Sequence, residues 1–174
     1  MFSPRALYYF ILTIFLLMPF LGEAVVAQVS KNQMLINESY LEYNNLILRE
    51  VNNEVRSDIF SKPTDLTFSP LTLLENEFSK DSNSHWVWSE NTLATIDSYS
   101  KFLFRTKKSA KLDEVTVLLH VNSKGKLSGF EVLSEADKGL KERLDFVLRK
   151  LPACKPVPGY EYYGLATFEL IIKR

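Results

Sequence analysis

Between positions 115 and 122 the chain alternates. Val115, Val117, Leu119 and Val121 point one way, and Thr116, Leu118, His120 and Asn122 the other, which predicts a strand. One purely apolar face suits an antiparallel sheet half covered by a helix. Asn122-Ser-Lys-Gly-Lys126 predicts a turn, with Gly125 supplying the positive φ of a tight hairpin. Residues 127–133 then return as a second strand. Leu140, Leu144, Val147, Leu148 and Leu151 fall on one stripe of a helix predicted over 137–151, which Pro152 ends. The chain closes on a strand over 165–172, with Ala166, Phe168, Leu170 and Ile172 inward and Thr167, Glu169 and Lys173 outward.

Upstream the period changes. Ile36, Tyr40, Tyr43, Ile47, Val51, Val55 and Ile59 recur by threes and fours and predict an amphipathic helix over 33–60. Residues 61–65 break it. Ser69, ahead of Pro70, reads as the cap of a short helix running to about Phe78. His85-Trp-Val-Trp88 predicts a short strand or an aromatic plug, and Ser89 caps a helix over 90–104 that buries Leu93, Ile96 and Leu103. The predicted fold class is therefore α+β: a helical N-terminal part beside a ββαβ module with a three-stranded antiparallel sheet. Three segments result: 1–27, a helical region 28–89, and 90–174.

Composition allows an ordinary core, with 46% hydrophobic and 13% aromatic residues. Net charge is zero but unevenly spread. Residues 28–100 carry 5 Lys/Arg against 11 Asp/Glu, and residues 101–174 carry 15 against 9. Either the two halves attract each other or solvate two faces, or a basic C-terminal surface steers an acidic partner. The basic residues are dispersed and lack a recognition motif, so nucleic acid is not an expected partner. Residues 1–27 read as a secretory signal: Arg5, an apolar stretch over 6–22 broken by Pro19, then Ala24-Val-Val-Ala27. The expected location is periplasmic or secreted. The alternative is an inner-membrane anchor formed by residues 6–22, a short span for a bilayer.

Little in the chain points to catalysis. His85 and His120 lie far apart, without metal-ligand spacing to each other or to Cys154, the single cysteine. No Gly-rich phosphate loop, Gly-x-Ser-x-Gly elbow or His-Glu-x-x-His motif occurs. No catalytic residue, metal or cofactor is expected, and the chain is read as a non-enzyme.

The run from Val115 to Gly125-Lys126, the Leu151-Pro-Ala-Cys-Lys-Pro156 element and the closing Ala166-Thr-Phe-Glu-Leu170 resemble the C-terminal domain of TonB-like proteins, in its Bacteroidetes form. The resemblance covers about residues 90–174. It departs in three places. Phe104-Arg105 stands where the family has Tyr-Pro, a Pro-rich spacer is missing, and residues 6–22 hold no histidine for coupling to a proton-driven complex. The resemblance implies a protein or peptide partner, such as a segment of a TonB-dependent outer-membrane transporter, bound by strand addition at the last strand. Carried over, the partner-binding edge is Leu165, Thr167, Phe168, Glu169 and Ile171. The alternative is a structural or accessory protein of the cell envelope whose edge is capped by its own N-terminal helix.

Overall fold

A computed structural model describes residues 34–37, 40–51 and 60–174, the first four by their backbone alone. The expected signal or anchor, and residues 33, 38–39 and 52–59 of the predicted first helix, lie outside the described residues. The elements in order are β1 (Met34–Asn37), β2 (Tyr40–Tyr43), β3 (Leu46–Val51), α1 (Leu73–Asp81), β4 (Trp86–Val87), α2 (Glu90–Ser98) and α3 (Ser100–Leu103). They continue with β5 (Glu114–Val121), β6 (Leu127–Val132), α4 (Lys138–Leu148), β7 (Lys155–Pro156) and β8 (Ala166–Lys173). The class is α+β.

The sheet is larger than the three strands expected. Its order is β1-β2-β3-β8-β5-β6, all neighbours antiparallel, and β4 pairs with β7 in a separate two-stranded ribbon. The predicted module survives inside it as β5, β6, α4 and β8. Period-two alternation puts one apolar row behind another on the inner face. Tyr43, Leu46, Ile172 and Val115 form one row, and Leu41, Leu48, Leu170, Val117 and Val132 the next. Except for half-buried Val132, all of these are buried. Leu93, Ile96 and Leu103 from α2 and α3, Leu140, Leu144, Val147 and Leu148 from α4, and the two tryptophans complete the same core.

The helix predicted over 33–60 is overturned across its described part. Residues 34–37, 40–43 and 46–51 form three strands, because a second pattern overrides the helical one. Leu41 and Tyr43, then Leu46 and Leu48, alternate by two and are buried, while Asn44 and Asn45 between them form a two-residue turn. Asn44 takes φ 52°, a left-handed conformation that asparagine tolerates better than most residues, and its Nδ2 donates to Asp97 Oδ2 at 2.9 Å. The short helix also starts later than the Ser69-Pro70 pair implied. Thr72 and Glu75 form a reciprocal capping box at the start of α1. The helix expected over 90–104 is two pieces, α2 capped by Ser89 and the short α3. The 85–88 segment supplies both expected features, a short strand in β4 and two fully buried indoles.

Gly125 is the turn residue the sequence required. Its φ is +74°, and a Cβ there would lie 2.7 Å from Trp86 Cζ3 and 2.8 Å from the Cys154 carbonyl. The Cys154 N–H donates to the Gly125 carbonyl at 2.8 Å, so the β5–β6 hairpin tip is tied to the segment after α4.

Candidate interaction surface at the sheet edges

Strand addition needs a row of unpaired backbone groups. The five residues expected to present one do not. β8 sits in the middle of the sheet, in register with β3 from Leu46↔Ile172 to Val51↔Thr167 and with β5 from Glu114↔Lys173 to Val121↔Ala166. Both edges of the last strand are thus used. Leu165 precedes it and is half exposed, and Phe168 is wholly in the core. Thr167, Glu169 and Ile171 share the outer face, where Thr167 lies 3.3 Å (Oγ1) from His120 Nδ1 and Glu169 is ion-paired with Arg49 of β3. The N-terminal capping segment considered in the sequence is present, as a strand instead of a helix.

The far side of the module is different. β6 pairs with β5 and has no neighbour beyond it among the described residues. The phase of its ladder follows from one bond. The Leu133 N–H donates to the Thr116 carbonyl at 2.9 Å, so Glu131 and Gly129, two and four positions back, also direct their backbone groups toward β5. Phe130 and Val132 therefore turn their N–H and C=O outward. Between Gly129↔His120 and Leu127↔Val121 the register slips, leaving Ser128 as a bulge whose Oγ donates to the His120 carbonyl at 3.0 Å.

A groove of about 610 Å³ runs between this edge and the C-terminal end of α4. Its walls include Leu127 and Phe130 from β6 and Leu148 and Leu151 from the helix and its exit. Lys126, Arg149 and Asp145 stand around it, the last two paired at 2.7 Å. Sequence reading missed this edge. The signal was available in Ser128-Gly129, which interrupts the alternation of the return strand where a bulge was needed.

The polar groups elsewhere are mostly structural. Glu75 is almost fully buried, closes the α1 capping box and accepts from Lys155 Nζ at 2.8 and 2.9 Å. Arg143 is buried, with Nε donating to the Leu103 carbonyl at 3.0 Å. Glu50 Oε2, Trp88 Nε1 and Asp97 Oδ1 are buried without a hydrogen-bond partner among the described residues, and Glu50 is the most perturbed of the three. Glu50 lies on the inner face opposite Phe168. Burial raises its carboxyl to about 7, an effect the Ser84 hydroxyl partly offsets. Burial pushes the Cys154 thiol well above its usual range, with the nearby Glu50 charge adding to the rise. The His85 and Tyr160 rings meet at a tilt with their centroids 4.3 Å apart, and burial lowers the His85 pKa. Among the described residues no cluster of His, Cys, Asp and Glu converges as a metal site, and no helix is long and apolar enough to cross a membrane. No protein-family model, curated protein or solved structure matches the chain.

Proposed function

We propose that this protein is a non-enzymatic, exported binding module of the cell envelope, related in plan to the TonB C-terminal domain, with its last-strand edge closed by its own β3. The observation that carries this reading is the six-residue register between β3 and β8, from Leu46↔Ile172 to Val51↔Thr167. A strand paired on both sides cannot accept another, so a transporter segment has no place at Leu165, Thr167, Phe168, Glu169 and Ile171 while β3 is docked. The charged pair Arg49–Glu169 adds a cross-strand contact on the outer face. Export and the envelope location rest on the signal-like composition of residues 1–27.

Hydrogen exchange on the full chain tests the closed edge. The amides of β8 are expected to exchange as slowly as those of β5, because both strands are central and share one core. Fast exchange along β8, together with slow exchange along β5, would restore the last strand as an open binding edge. Intact mass of protein recovered from a periplasmic extract tests export, with residues 1–27 expected to be missing.

A further inference from the structure

The geometry points to the β6 edge as the docking site: we infer that the groove between β6 and α4 takes an extended, apolar peptide segment carrying an acidic residue, which adds to the sheet as a seventh strand. The inference rests on the binding-module reading above and supplies its surface. Three observations converge on it.

The first is backbone. Phe130 and Val132 offer two outward N–H donors and two outward C=O acceptors, spaced as an added strand requires. The second is shape. A strand laid along β6 places every other side chain over the apolar walls formed by Leu127, Phe130, Leu148 and Leu151. Phe130 and Leu151 are only half buried without an occupant. The third is charge. Lys126 is exposed and unpaired among the described residues, whereas Arg149 is already matched by Asp145. The groove thus carries one uncompensated cation within a half of the chain that has a positive excess, and a peptide carboxylate is its complement.

A second copy of this chain is the competing occupant, and the edge is built against it. The Ser128 bulge bends β6 at one end, and the unpaired Lys126 lies beside it; both features discourage flat edge-to-edge pairing of identical sheets.

The test is selection of a phage-displayed random octapeptide library on the immobilised full chain. Enriched peptides are expected to carry alternating apolar residues with an Asp or Glu, and synthetic copies to broaden or shift the amide resonances of Phe130 and Val132. Val132→Pro removes an outward N–H without touching the β5 ladder and is expected to weaken binding about tenfold. Leu151→Glu, which puts an anion in the groove from outside any regular element, is expected to do the same should the proline variant fail to fold. Lys126→Glu is expected to turn the selected preference from acidic to basic residues. No enrichment, or peptides that bind both groove variants as tightly as the wild type, would overturn the inference. A concentration-dependent dimer abolished by Leu151→Glu would assign the groove to a second copy and overturn the peptide occupant. These results are independent of exchange in β8, so this inference and the closed-edge reading can fail separately.

Discussion

Glu50 is the one described carboxylate on the inner face of the sheet, in line with Phe168, Leu119 and Phe130. A carboxylate there loses hydration and finds no partner for Oε2. Its folded pKa of about 7 lies above the ordinary 4.5, so the folded state holds the proton more tightly than the unfolded chain. The stability this neutral carboxyl supports is full below about pH 4.5, falls as pH rises toward 7 and levels off above. Because the group keeps some solvent contact, the loss is on the order of 1–3 kcal/mol, below the full equivalent of the shift. His85 titrates with the opposite sign, since burial keeps its ring neutral and acid favours the unfolded chain. Comparing wild type with Glu50→Gln removes that contribution. Denaturant unfolding at pH 5 and pH 8 is expected to show a marked drop for the wild type and a much smaller one for Glu50→Gln. Equal drops in the two proteins would move the titrating group elsewhere.

At the scale of elements, the C-terminal module was readable and the N-terminal sheet was not, for physical reasons. β5, α4 and β8 each carry one strong period, Gly125 marks the turn into β6, and the observed bounds of all four fall within a few residues of those expected. Asp137 caps α4 by accepting from the Leu140 N–H at 2.7 Å, and Gly125 makes the turn. Residues 34–51 carry two periods at once. Ile36, Tyr40, Tyr43, Ile47 and Val51 fit a helix, whereas Leu41, Tyr43, Leu46 and Leu48 fit a hairpin. Docking onto β8 decides between them, and that is a tertiary interaction no local pattern states. The candidate site inherited the error: once β3 covers β8, the expected edge closes and the exposed edge moves to β6. A consequence is that β3 belongs to the common core. Leu48 is 1% exposed and lies in register with Leu170, so Leu48→Ala is expected to cost about 2–5 kcal/mol, as a core truncation does. Equilibrium unfolding by guanidinium chloride measures it. A cost below about 0.5 kcal/mol would mean that the hairpin is an appendage whose loss the module does not feel.

For the whole molecule, the question is whether its uneven charge holds it together. The acidic stretch 28–100 and the basic stretch 101–174 invite the view that two halves attract. Four ion pairs occur among the described residues, and two of them, Lys138–Glu142 and Arg149–Asp145, stay within α4 and its C-terminal cap. Of the two that join the stretches, Arg49–Glu169 takes its cation from the acidic stretch and its anion from the basic one. Only Lys155–Glu75 follows the division, and its carboxylate is also committed to the α1 capping box. What joins the stretches is the unbroken apolar rows from β2 through β3, β8 and β5, supported by helices from both stretches. Screening therefore has little to act on. Raising sodium chloride from about 0.05 to about 1 M shortens the Debye length to about 3 Å and weakens exposed pairs worth ~0–1 kcal/mol each. The unfolding free energy is expected to move by no more than about 1 kcal/mol, with Lys155–Glu75 least affected because its carboxylate is 1% exposed. Chemical denaturation with urea, which adds no ionic strength of its own, makes the comparison clean. A loss of several kcal/mol in high salt would show that long-range attraction between the stretches, and not the shared sheet, carries the docking of the N-terminal hairpin.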